Sequence, residues 1–173
     1  MEKSVKVLVA AAFLALLFGF PTATHAEEFT YAKRVALGLQ GGSLSFGPTI
    51  EYWPSDKLDL SANVGWFFNY SSLMVRGTYL FEKPINIFGD FPARPYVGAG
   101  VGYRGYFFVS GYSAWGGPGL QVFGGLMQPL TKNWNLRGEL LGEYYVINWP
   151  GGYTETGGFP LGVNFGIFYH FGK

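Results

Sequence analysis

From Arg34 to its end the chain is written in two-residue steps. The closing stretch, Asn164 to Lys173, reads NFGIFYHFGK. Counting back from Phe171, alternate positions are Tyr169, Ile167, Phe165, Val163, Leu161 and Phe159, all apolar or aromatic. The positions between them are His170, Phe168, Gly166, Asn164 and Gly162, small or polar apart from one ring. A period of two sends successive side chains to opposite faces of a strand. A strand this apolar on one face, with no later segment to cover it, needs either a partner sheet or an apolar solvent.

The same alternation recurs in segments of about ten residues, separated by clusters of Gly, Pro, Asn, Asp and Ser. Val35, Leu37 and Leu39 oppose Arg34, Ala36, Gly38 and Gln40. Phe46, Pro48, Ile50 and Tyr52 oppose Gly47, Thr49 and Glu51. Leu58, Leu60, Ala62, Val64 and Trp66 oppose Asp59, Ser61, Asn63 and Gly65. Leu73, Val75 and Tyr79 oppose Met74, Arg76 and Thr78, and Val97, Ala99, Val101 and Tyr103 oppose three glycines and Arg104. Leu120, Val122 and Leu126 oppose Gln121, Phe123 and Gly125. Leu136, Leu140, Tyr144 and Val146 oppose Arg137, Glu139, Glu143 and Tyr145. With the closing strand this makes eight.

Composition decides which face is outside. Charged residues are 13% and aromatics 20% of the 173 residues, where soluble domains carry about 25% charge. Mean hydropathy is only +0.15, too low for a bundle of membrane helices. In a soluble barrel with an apolar lumen, the glycine-and-charge register would have to form the whole outer surface. In lipid the assignment reverses, and the glycines suit a narrow interior. Closure is then obligatory, because an open sheet edge in hydrocarbon leaves backbone groups unsatisfied at several kcal/mol each. Trp53, Tyr79 and Trp134 near one set of turns, and Trp66, Tyr103 and Tyr144 near the other, read as two aromatic girdles. The expected fold is all-β: an eight-stranded antiparallel up-and-down transmembrane β-barrel.

The N-terminus reads as a secretory leader. Lys3 and Lys6 precede an apolar run from Val7 to Phe20, which Pro21 ends. The run is shorter than the ~20 residues of a spanning helix. Small Thr24 and Ala26 place cleavage after Ala26, giving a signal peptide over 1–26 and a barrel domain over 27–173. Removing Lys3 and Lys6 from 12 basic residues and Glu2 from 11 acidic ones leaves 10 against 10. This balance, without a basic stripe, offers nothing to nucleic acid. Cysteine is absent, which excludes disulfides and cysteine metal sites. No His, Asp and Glu cluster has ligand spacing, so no metal or cofactor is implied.

Asn164, Gly166, Tyr169 and Phe171 keep the spacing N-x-G-x-x-Y-x-F, which resembles the C-terminal assembly signal of bacterial outer-membrane barrels; Gly172 and Lys173 follow it. ARPYVGAGVGYRG, from Ala93 to Gly105, is similar to a stretch common among small OmpA-type and OmpX-type barrels. The resemblance covers nearly all of 27–173. It implies insertion by the barrel assembly machinery, contact with outer-membrane lipid and lipopolysaccharide, and a monomer in the bacterial outer membrane. It implies no single function, because this architecture carries many.

With both termini periplasmic, outer connections are expected at Gly41–Ser45, Phe67–Ser72, Gly105–Pro118 and Asn148–Gly158, and inner turns at Pro54–Lys57, Glu82–Arg94 and Pro129–Asn133. Inward charges are Arg34, Glu51, Asp59, Arg76, Arg104, Arg137, Glu139 and Glu143. In a lumen narrow enough to be filled by side chains, mixed signs favour pairing over a water-filled path. The expected network centres on Glu51, Arg76, Arg137 and Glu139. The function this supports is a non-enzymatic barrel with a structural or surface-interaction role. The alternative is a narrow channel for small or hydrophobic solutes, resembling the OmpW group. A lipid A-modifying enzyme would need a base beside a nucleophile. The one histidine after the leader, His170, belongs at the inner rim, far from Ser110 and Ser113 in an outer loop.

Overall fold

The computed structural model describes residues 30–43, 45–67, 70–86, 92–106, 115–148, 154–157 and 161–172. The expected leader and its cleavage point after Ala26, together with Ser110 and Ser113, lie outside the described residues. Ten strands follow in chain order: β1 Val35–Gly42, β2 Phe46–Tyr52, β3 Leu58–Phe67, β4 Tyr70–Leu80, β5 Ile85–Asn86, β6 Pro92–Tyr106, β7 Trp115–Pro129, β8 Trp134–Asn148, β9 Thr154–Gly157 and β10 Leu161–Phe171. Eight of them form the wall, each antiparallel to the next, in the order β1-β2-β3-β4-β6-β7-β8-β10. The sheet closes where β1 pairs with β10, from Val35 opposite Phe171 to Gly42 opposite Asn164. Closure leaves this wall without an open edge.

The two short strands thicken the wall locally. β5 pairs with the start of β6, Ile85 opposite Ala93. β9 pairs with the last residues of β8, Tyr145 opposite Gly157, where β8 runs past the first β10 pair, Leu161 with Gly142. The ladder also reaches into expected connections: β4 begins at Tyr70, β6 begins at Pro92, Tyr106 still pairs with Trp115 across β6 and β7, and β9 lies within Asn148–Gly158.

Alternation translates directly into two faces. Val101 is 59% exposed and Leu140 67%, and Leu37, Ile50, Leu60, Leu73 and Val122 also point outward. Glu51, Asp59, Arg76, Arg104, Arg137, Glu139 and Glu143 are all buried inside. Several inward rings interrupt the small-residue register, and two of them show what the glycines opposite are for. Phe168 pairs with Gly38, and Phe123 pairs with Gly98. A methyl group built on either glycine would run into the opposing ring. The glycine is therefore what lets a bulky ring lie flat across the inner wall.

Two positions depart from expectation. Trp53 belongs to no girdle: it is 1% exposed and sits inside the barrel. Parity explains this, since Trp53 lies two residues beyond inward Glu51 and Tyr52 takes the outward place. Leu136 holds an outward position yet is buried, flanked by Gln128 on one neighbouring strand and Ile167 on the other. Tyr79, Trp134, Trp66 and Tyr103 are exposed on the outer surface, and Tyr144 is half-buried.

A candidate functional site: the filled lumen

The inward register converges on the barrel axis, where its charges are packed in layers. In one layer the Arg137 guanidinium on β8 donates from Nη2 to Glu51 Oε2 at 2.7 Å and from Nη1 to Asp59 Oδ2 at 3.0 Å. Glu51 lies on β2 and Asp59 on β3, so the pairing bridges non-adjacent parts of the wall. Trp53 Nε1 donates to Glu51 Oε2 at 3.3 Å. The Phe168 ring lies 4.5 Å from the Arg137 guanidinium carbon and the Trp53 ring 5.4 Å. Rings at that distance stabilise a cation through their negative faces.

In the next layer Arg76 on β4 donates from Nη2 to Glu139 Oε2 at 2.7 Å and from Nη1 to Gln40 Oε1 at 3.0 Å. Glu139 also accepts from Gln40 Nε2 at 2.7 Å, Asn164 Nδ2 at 3.2 Å and the Tyr96 hydroxyl at 3.2 Å. Phe123 covers the guanidinium, its ring centre 3.6 Å from the carbon. Tyr96 links the layers: its hydroxyl serves Glu139, while its ring lies 5.8 Å from Arg137. Further along, Arg104 pairs with Glu143 at 3.3 Å. A buried ion must have its lone pairs and protons occupied to offset desolvation, and Glu139 with four donors meets that condition.

Between these layers a polar cavity of about 10 Å³ is lined by Gln40, Asn63, Ser72, Arg76, Gln121 and Glu143, among others. That is the lower limit for one water molecule, about 10–15 Å³. At the end of the barrel where β1 begins and β10 ends, Tyr31, Trp53 and His170 close the mouth. Tyr31 lies 4.8 Å from Trp53 and 4.9 Å from His170, ring centre to ring centre. The His170 side chain meets Asn135 through Nε2. Burial pushes the Tyr31 phenol up to about 12. At the surface of this end, Lys57 and Glu82 form an ion pair between two turns. Their mutual hydrogen bond holds Glu82 below and Lys57 above their ordinary ranges.

Two solved structures are similar to this arrangement. The N-terminal β-barrel domain of Pseudomonas aeruginosa OprF aligns with a TM-score of 0.61 and 18% identity over 81% of this chain and 98% of that one. Neisserial surface protein A aligns with a TM-score of 0.50 and 18% identity, over 80% and 94%. The fold is that of the OmpA-type barrels. No protein-family model matches the sequence, and no curated protein does.

On this OmpA-type wall, the four residues expected as one network form two separate pairs, Arg137 with Glu51 and Arg76 with Glu139. Asp59, Gln40, Tyr96 and Asn164 join them. Parity placed Asp59 and Gln40 inside, and one further step back from Val97 would have placed Tyr96 there too. The C-terminal motif divides by the same rule. Asn164 and Gly166 face the lumen, and Asn164 belongs to the Glu139 cluster. Tyr169 and Phe171 face outward, where Tyr169 packs 5.0 Å from Trp134 and 4.9 Å from Phe171. Among the described residues no group of three His, Cys, Asp or Glu is placed to hold a metal.

Proposed function

We propose that this chain is a non-enzymatic integral protein of the bacterial outer membrane, with a sealed lumen and a structural or surface-interaction role such as envelope integrity, adhesion or lipopolysaccharide contact. One observation carries the reading: a closed wall, apolar outward, encloses an interior filled by paired charge. A soluble barrel has no reason to expose Val101 and Leu140 while burying four arginines and four acids. Similarity to two outer-membrane barrels supports the location.

In this reading residues 1–26 direct export and are removed, and the end that carries the termini faces the periplasm. The assembly machinery binds the terminal strand through Asn164, Gly166, Tyr169 and Phe171, and the barrel works as a monomer in lipid. Lipid A chemistry is disfavoured because His170, packed against Tyr31, Trp53 and Asn135, lies at the end that this reading assigns to the periplasm, away from the outer leaflet. The deciding experiment is conductance in a planar bilayer, with folding monitored by heat-modifiable gel migration. The refolded barrel is expected to be electrically silent. A steady ion current would favour the narrow channel for small or hydrophobic solutes instead.

A further inference from the structure

The segment just before β1 is held to the turn between β2 and β3. Tyr31 is 2% exposed, although it precedes the wall and belongs to no strand. Its ring fills the mouth against Trp53 and His170. Two backbone N–H groups, of Tyr31 and Ala32, donate to a single acceptor, Asp56 Oδ1, at 2.5 and 2.8 Å. Asp56 lies on the turn between β2 and β3, which also holds Lys33 N through Trp53 O at 2.6 Å. Lys33 adopts φ of 62°, a left-handed conformation that a non-glycine residue adopts only at a cost. The chain thereby reverses direction and turns Tyr31 back into the barrel. Arg34 donates from Nη1 to the Lys132 carbonyl at 3.4 Å, reaching the turn between β7 and β8.

We propose that residues 30–32 form a lid over this mouth of the barrel, hinged at Lys33 and Arg34, with Asp56 as its latch and Tyr31 as its plug. The lid hangs from the wall at Lys33 and Arg34, whose backbone groups bond to Trp53, while Tyr31 and Ala32 are held through the Asp56 carboxylate. Releasing the latch frees two N–H groups into water, where they are satisfied, so opening costs little backbone hydrogen bonding. The rings of Trp53 and His170 and the space behind them then meet solvent while the barrel itself stays closed. The lid thus controls access to the inner half of the lumen from the side where the chain begins.

The chain contains no cysteine, so a single thiol can report on that space. Ala36→Cys places it on the inner face at a fully buried position, level with Glu51 and His170. The refolded barrel is treated with a small water-soluble thiosulfonate, and labelling is followed by mass. With the lid intact, labelling should be slow. Adding Asp56→Ala should raise the rate roughly tenfold or more, since a hydrogen bond to a charged group is worth about that factor or more, and Tyr31→Ala should raise it as well by removing the ring that fills the mouth. Asp56→Asn keeps the accepting oxygen and should label nearly as slowly as the parent. Equal rates in all four proteins would overturn the proposal. So would a variant that no longer gives a heat-modifiable barrel, because the segment would then be part of the fold and not a lid upon it.

Discussion

Glu139 is the acceptor on which four donors converge, whereas Arg76 has two acceptors and a ring. That asymmetry makes a quantitative prediction. Glu139→Ala leaves the Arg76 cation with Gln40 as its side-chain acceptor among the described residues, and deprives Asn164, Gln40 and Tyr96 of theirs. Removing one partner of a buried pair costs about 3–5 kcal/mol, and Glu139→Ala is expected at the upper end. Arg76→Ala leaves a carboxylate that still accepts from three donors, so it should cost about 1–2 kcal/mol less. The double variant removes both charges and should cost less than the sum of the singles, by roughly 1–3 kcal/mol. Urea unfolding of the refolded barrel, read by gel migration and intrinsic fluorescence, gives all four values. Two results refute the reasoning: strict additivity, or Arg76→Ala costing as much as Glu139→Ala.

Three further outcomes are expected. Tyr169→Ala with Phe171→Ala removes both outward rings of the terminal motif; the protein should still be exported but be degraded before reaching the outer membrane, and wild-type amounts of folded barrel there would contradict the assembly-signal reading. Val101→Arg and Leu140→Arg place charge on the outer face and should each destabilise the barrel in bilayers by about 2–4 kcal/mol, while inward Thr78→Ser should be far milder; equal folding of all three in detergent-free buffer would rule out a lipid-facing surface. Finally, Tyr31 stays neutral to about pH 12 when folded and to about 10 when unfolded. Its contribution is therefore fully present below pH 10 and lost as pH rises towards 12, on the order of 2 kcal/mol; unfolding curves across this range should diverge from those of Tyr31→Phe, and parallel curves would count against a buried phenol.

Parity made the wall legible. Val35, Leu37 and Leu39 against Ala36, Gly38 and Gln40 separate cleanly, because in a barrel each strand has only two surroundings to choose between. The same counting rule placed Arg137 and Asp59 inside. It could not pair them, since they are 78 residues apart on strands that do not touch along the wall. Such a contact is set by the stagger of the strands and the barrel diameter, which no local pattern encodes. Trp53 departs for a different reason: a tryptophan near a turn suggests the membrane surface, but its place two residues after Glu51 outweighs its chemistry. The latch at Asp56 was invisible too, as an aspartate in a turn has many local uses.

The wall is uneven in height. β6, β7 and β8 run 15 residues each, while β1 and β2 run 8 and 7. A tilted strand needs about 9–11 residues to cross hydrocarbon, so in a bilayer the long side would stand clear of it by roughly 9–14 Å. The short side falls below that span, and it includes the closing seam. Lipid beside β1 and β2 must therefore dip to meet the protein, or the whole cylinder must lean, at a fraction of a kcal/mol for each ångström. Thinning would fall along one flank and leaning would have one azimuth, so in either case the molecule imposes a direction on a membrane that has none of its own.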